Sequence, residues 1–290
     1  MNNKKYKIIS IISICGFIFC TIALLYPVVS DRWNRYRDSQ LMTEYSEMVI
    51  NAPKDKLLEV RKKAEEYNRY LKLQDRNIVT DADYEPDNYY ETLLNFTGNS
   101  MMGYIEIPKI DITEPVYHYS HDISLGKGVG HIHGSSLPVG GKSTHSVLTG
   151  HRGLPTQKLF SDLDKLDIGD KFYIHVLDTT MVYKIYKIKE IEPTDVSVLF
   201  IEDGKDLVTL VTCTPYGVNT ERLLVMGERV PDEEISLDSN GNVIVDEHGV
   251  VIDNAVWVFI GFMVFIFYLF ISTTIKNIIY MHRKKKGGSG

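Results

Sequence analysis

Two stretches of the chain are apolar for long enough to leave water altogether, and between them the hydrophobic pattern changes period. Positions 8–29 form an almost uninterrupted apolar run. As a helix rising about 1.5 Å per residue, this run covers a hydrocarbon core of about 30 Å. Lys4, Lys5 and Lys7 precede it, and Asp31, Arg32 and Arg35 follow. A cleavable leader would have a shorter apolar core and a small-residue cleavage site behind it, so the run reads as an uncleaved anchor. Positions 255–275 form a second candidate transmembrane helix, aromatic throughout and uncharged until Lys276, with His282-Arg283-Lys284-Lys285-Lys286 behind it. Basic flanks stay in the cytoplasm. The expectation is a cell-membrane protein with both ends, 1–7 and 276–290, cytoplasmic and roughly 30–254 extracytoplasmic. Gly287-Gly288-Ser289-Gly290 reads as an appended linker.

Between the spans, positions 30–76 carry apolar residues at helical spacing. Leu41, Tyr45, Met48 and Val49 make one stripe, and Leu57, Val60, Ala64, Tyr67 and Leu71 another, with a break at Asn51-Ala52-Pro53. They predict a helical stalk or hairpin, or two amphipathic helices packed on the domain. Positions 77–98 begin polar and acidic and read as a lid or linker. From about 99 to 232 the pattern becomes short alternating runs separated by turn residues, which predicts a mainly β barrel or sandwich. Examples are 103–107, 146–149, 171–176, 181–185, 207–212 and 223–226. A short helix is expected at 157–166. Positions 233–254 read as a juxtamembrane linker with a small hairpin around Glu247-His248-Gly249.

Net charge is −6 over 290 residues, which argues against a nucleic-acid partner needing a phosphate-neutralising surface. Of three cysteines, Cys15 and Cys20 lie in the first apolar run and Cys213 stands alone in the polar bulk. A disulfide framework there is impossible. Cys213 is either a buried small hydrophobe or a thiol kept for reactivity.

Several short motifs fail. Gly141-Lys142-Ser143 lacks the upstream glycine of a phosphate loop, where Ser136 stands instead. Asp238, Asn240 and Asn242 resemble the start of a calcium loop, but Val243 and Gly249 occupy positions that need Gly and Glu. His131 and His133 have no acidic or thiol partner nearby and read as structural or surface histidines. Gly126, Gly128 and Gly130 read as turn glycines. No metal and no cofactor is expected.

Cys213 ends the apolar run Thr209-Leu210-Val211-Thr212-Cys213, where a strand would fix the thiol, and Thr214-Pro215-Tyr216-Gly217 follows as a loop. Arg222 opens the next apolar run. A strand–loop–strand arrangement can place its guanidinium beside the thiol, favouring thiolate and stabilising a developing oxyanion. His151, in Leu148-Thr149-Gly150-His151-Arg152-Gly153, also sits just past a strand and can exchange protons with a departing or incoming amine.

Together, Thr209 to Cys213, the following Thr214-Pro215-Tyr216-Gly217, and Arg222-Leu223-Leu224-Val225 resemble the sortase active-site signature. Met102-Gly103-Tyr104-Ile105-Glu106-Ile107-Pro108, Gly128-Val129-Gly130-His131, Ser135-Ser136-Leu137-Pro138-Val139-Gly140-Gly141 and the stretch 148–155 resemble class C, pilus-assembling sortases of Gram-positive bacteria. The resemblance covers about 90–230. It implies an eight-stranded sortase β-barrel with His151, Cys213 and Arg222 as the catalytic three. The implied partners are pilin subunits carrying an LPXTG-type sorting signal and an acceptor lysine. Cys213 would attack the Thr–Gly carbonyl to form a thioester, which a pilin lysine resolves as an isopeptide bond. A housekeeping sortase, attaching proteins to peptidoglycan, is the alternative. A papain-like hydrolase would have its cysteine before its histidine, and a scaffold would leave the three residues unexplained. Class C sortases usually carry an Asp-Pro-aromatic lid. Here the stretch reads Thr80-Asp81-Ala82-Asp83-Tyr84-Glu85-Pro86, and the expectation is that Asp83 pairs with Arg222 while Tyr84 covers Cys213.

Overall fold

A computed structural model of the protein describes residues 3–74, 88–118 and 126–231, with five further positions at 261, 265, 267, 268 and 272. The chain divides into two compact units, 1–29 with 249–290 and 30–248.

In the first unit, helix α1 (Asn3–Ile50) begins with the apolar run. This part is long and apolar enough to cross a membrane. Ile8, Ile11, Ile12, Phe19 and Ile22 are exposed on it, a surface suited to lipid and costly in water. The five described positions of 255–275 are helical or flank helical residues, and Phe267 stacks on Phe17 with ring centroids 5.4 Å apart. The rest of the second span, and the hairpin expected around 242–252, lie outside the described residues.

The second unit is a closed eight-stranded barrel, β1 (Met101–Ile107), β2 (Ile112–His118), β3 (Val129–His131), β4 (Thr144–Thr149), β5 (Lys171–Val176), β6 (Thr179–Ile191), β7 (Asp206–Thr214) and β8 (Glu221–Arg229). Its order is β1-β2-β3-β4-β7-β8-β6-β5, closed where β5 pairs with β1. The β2–β3 and β4–β7 pairs are parallel and the others antiparallel. Closure leaves no barrel edge for another chain to pair with. Phe172, Tyr183, Ile105, Leu210 and Val225 are among the fully buried side chains of the core.

Two strands escaped the pattern reading. In β2, Glu114 and Pro115 interrupt the apolar run, and proline is unexpected in a strand that needs ladder donors. The β3 strand is only three residues long and contains Gly130, which was expected in a turn. Gly128 just before it passes so close to β2 that a Cβ there would sit 2.7 Å from the Pro115 carbonyl oxygen. The helix expected at 157–166 is a tighter 3-10 segment at Leu159–Lys165.

The two amphipathic stripes pack on the barrel. Tyr45 and Val49 of α1 and Leu57, Ala64, Tyr67 and Leu71 of α2 (Lys54–Gln74) are buried, although Met48 is exposed. The Tyr45 hydroxyl accepts from Leu177 N at 2.7 Å and donates to Met102 O at 3.1 Å. Asn68 makes a paired contact with Leu137, accepting its N–H at 2.7 Å and donating to its carbonyl at 3.0 Å. Burying each large apolar side chain stabilises by roughly 1.5–3 kcal/mol, and the polar tips fix the register of the helices. Residues 30–74 therefore lie against the barrel.

Candidate active site

Strands β7 and β8 form a hairpin in which Cys213 stands directly opposite Arg222. Residues facing each other across an antiparallel pair put their Cβ atoms about 4.5–5.5 Å apart on one face. The hairpin register alone thus sets thiol and guanidinium side by side. Cys213 is half-buried and unbridged. The Arg222 guanidinium donates to the Asn219 and Glu221 carbonyls at 3.3 and 3.1 Å. A guanidinium carries five donors, so these contacts do not exhaust it.

On the other side of β7, β4 runs parallel with Thr149 level with Val211. The pairing persists past the strand end: Gly150 N donates to Val211 O at 3.1 Å, and Thr212 Oγ1 donates to Gly150 O at 2.8 Å. His151 follows directly, two residues past the end of β4. Gly150 is required there, because a Cβ would lie 2.9 Å from the ring of fully buried Phe160. The His151 carbonyl in turn accepts the Phe160 N–H at 3.1 Å. The end of β7 and the start of β8 therefore pair Cys213 with Arg222, and His151 lies two residues past the end of β4, the strand on the other side of β7. The arrangement can hold a nucleophile, a proton carrier and a cation around one acyl carbon.

His131 is structural in its surroundings. His131 is fully buried; its Nδ1 faces the Tyr90 hydroxyl at 2.7 Å and its Nε2 faces Ser136 O at 2.8 Å. The carbonyl can only accept, so Nε2 bears the proton and Tyr90 donates to Nδ1. Burial pushes the His131 pKa down to about 3, and the ring is neutral. No group of three metal-ligating side chains occurs among the described residues. Asp83 and Tyr84, with positions 77–87 of the lid or linker expected over 77–98, lie outside the described residues; positions 88–98 open with a short helix, Asn88–Thr92, and bury Tyr90, Leu93 and Leu94.

The sortase domain family model matches residues 105–230, which include His151, Cys213 and Arg222. Sortase C1 from Streptococcus agalactiae is 43% identical with a TM-score of 0.62, over 67% of this chain and 99% of that one. The chain belongs to the sortase family. Sortase C from Streptococcus pneumoniae is similar at 40% identity and a TM-score of 0.58, over 66% of this chain and 97% of that one. The sequence is also 30% identical to Sortase D of Bacillus subtilis across 131 residues, 44% of this chain and 63% of that protein. Sortases are cysteine transpeptidases, and the solved neighbours of this one are class C members.

Four residues around the sortase site escaped the sequence reading. Arg152, Thr214, Asp164 and Glu190 form one polar chain beneath the end of β7. Only Arg152 and Thr214 had a visible signal, their places immediately after His151 and Cys213. A second set, Asp38, Glu114 and Gln157, lies buried where α1, β2 and the loop after His151 meet. Gln157 Nε2 donates to Asp38 Oδ2 at 2.9 Å and to Glu114 Oε2 at 3.0 Å. No spacing rule links positions so far apart.

Proposed function

We propose that this sortase joins pilin subunits outside the cell, using Cys213 as nucleophile, His151 as proton carrier and Arg222 as oxyanion stabiliser. The observation that carries the reading is the cross-strand pairing of Cys213 with Arg222, supported by the position of His151 two residues past the end of β4, the strand beside β7. The Cys213 thiolate attacks the Thr–Gly carbonyl of an LPXTG-type signal. As the tetrahedral adduct collapses, the C–N bond breaks, His151 protonates the departing glycine amine, and a thioester remains. A pilin lysine amine then adds to the thioester carbonyl and gives its proton to His151. The C–S bond breaks, an isopeptide bond forms and Cys213 is released. Arg222 offers N–H donors where negative charge develops on oxygen.

The class C neighbours favour pilin over peptidoglycan as acceptor, and pilin substrate specificity was the subject of the Streptococcus pneumoniae sortase C structure. The apolar start of α1 and the span 255–275 would anchor both ends, leaving the barrel extracytoplasmic. Asp83 and Tyr84 would form a lid over Arg222 and Cys213. Incubation with a sorting-signal peptide and a lysine-bearing pilin tests the reading by mass spectrometry. The expected products are a Cys213 thioester and an isopeptide-linked pilin, both abolished by Cys213→Ala. Transfer to a peptidoglycan amine alone would indicate the housekeeping reaction, and a wild type that forms no thioester would defeat the reading.

A further inference from the structure

Arg152 follows His151 directly, and its side chain is only 7% exposed. Its Nη2 pairs with Asp164 Oδ2 at 2.5 Å, on the 3-10 segment that packs under the histidine loop. Its Nη1 donates to Thr214 Oγ1 at 3.2 Å and reaches the Cys213 carbonyl at 3.5 Å. An arginine cannot accept, so the Thr214 hydroxyl turns its own proton outward to Glu190 Oε1 at 3.1 Å. The guanidinium also lies 5.8 Å from the Tyr216 ring centroid. Asp164, Arg152, Thr214 and Glu190 thus form a continuous run of bonds from the histidine loop, across the end of β7, to β6.

Burying a guanidinium is a poor route to stability, because well-packed apolar residues usually do as well or better. What the fork supplies is geometry: two donors at fixed angles, one for each of two elements. Here one element is the 3-10 segment that carries Asp164 and the other is the strand that carries Cys213, while Arg152 itself follows His151. We propose that Arg152 is a positioning residue for acyl transfer. Its fork holds the His151 loop to the Cys213 carbonyl and the Thr214 hydroxyl, so that imidazole and thiol keep one separation through both half-reactions. The proposal rests on the assignment of His151 and Cys213 above. It adds that their spacing is set by a residue that touches no substrate.

The test uses the full chain in detergent with a sorting-signal peptide, comparing wild type, Arg152→Lys, Arg152→Ala and Thr214→Val. Circular dichroism gives the folded fraction, and thermal melting reports stability. Misplacement of reacting groups by about 1 Å can cost about 100-fold in rate. Arg152→Lys keeps the charge and loses the fork, so kcat for thioester formation should fall about 10- to 100-fold while KM stays within about twofold. Thr214→Val cuts the Arg152–Thr214 and Thr214–Glu190 bonds but leaves the contact with the Cys213 carbonyl, and should fall about 3- to 10-fold, with the same KM behaviour. If Arg152→Ala does not fold, these two variants decide. Wild-type kcat in Arg152→Lys, or losses that match the reduced folded fraction, would overturn the proposal. Absence of a thioester in the wild type would instead overturn the assignment of Cys213, so the two failures are distinguishable.

Discussion

Glu114 offers a test of how the barrel holds the loop beyond His151. It is 4% exposed on β2 and shares Gln157 with Asp38, itself 1% exposed on α1. Burial first, and then the nearby Asp38 charge, push the Glu114 pKa from 4.5 to about 8. Asp38 is raised as well, by burial, although Arg37 opposes the shift. With its folded pKa above its unfolded one, Glu114 holds a proton in the native state that the unfolded chain has already released. Its contribution to stability is therefore complete below pH 4.5 and is lost as pH rises through about 8. At about 1.4 kcal/mol per pH unit the full span amounts to at most about 5 kcal/mol, and relaxation around a buried acid would lower it. Glu114→Gln replaces the neutral acid with an amide of the same shape that cannot titrate. Guanidinium unfolding of the full chain in detergent, followed by circular dichroism, should find wild type and variant within about 1 kcal/mol at pH 5. At pH 8.5 the variant should be the more stable by roughly 2–4 kcal/mol. Histidines common to both chains cancel in the difference. A difference that stays constant from pH 5 to pH 9 would show that Glu114 is ionised in the native protein and would refute the argument.

Two further outcomes follow from single contacts and a third from the proposed lid. Gly150→Ala places a Cβ 2.9 Å from the Phe160 ring; it should cost about 1–3 kcal/mol and at least about tenfold in thioester formation, read by melting and peptide cleavage. Tyr90→Phe removes the hydroxyl that donates to His131 Nδ1 and should destabilise by about 1–3 kcal/mol. The His131 pKa is held down near 3, so the ring opposes stability only as pH falls below its unfolded value. NMR should show no His131 titration above pH 5. Alanine at Asp83 and Tyr84 should speed alkylation of Cys213, about tenfold if a lid is closed nine-tenths of the time. An unchanged alkylation rate would remove the lid.

The sequence was most legible where the physics is local. Helical spacing marked two apolar stripes, of which Tyr45, Val49, Leu57, Ala64, Tyr67 and Leu71 are buried, Leu41 and Val60 are half-buried and Met48 is exposed. The approach of Arg222 to Cys213 was readable because one short hairpin joins them. The level of His151 was not readable from spacing, because it depends on β4 pairing in parallel with a strand some sixty residues later. Resemblance to a family supplied that relation. The β2 strand was hidden because its polar interruption, Glu114, is buried by partners on α1 and on the loop after His151. Buried polar contacts between distant elements leave no periodic trace.

Those distant contacts converge on one loop. Behind His151, Asn34 donates to Thr156 O at 2.9 Å, Asp31 accepts the Lys158 N–H at 3.0 Å, and Asp38 takes one proton of Gln157. The Lys158 ammonium donates to the Ile110 carbonyl. Ahead of these, Arg152 and Asp164 tie the same loop to β7. Apolar packing could hold such a segment, but it tolerates sliding by a few tenths of an ångström, whereas hydrogen bonds lose strength steeply with angle and distance. A loop that must present an imidazole to a thiol at the end of a neighbouring strand needs the directional kind of restraint. The polar clamp is thus best understood as a device for spacing: α1 and β2 fix the far side of the loop, Arg152 fixes the near side, and His151 is held between them.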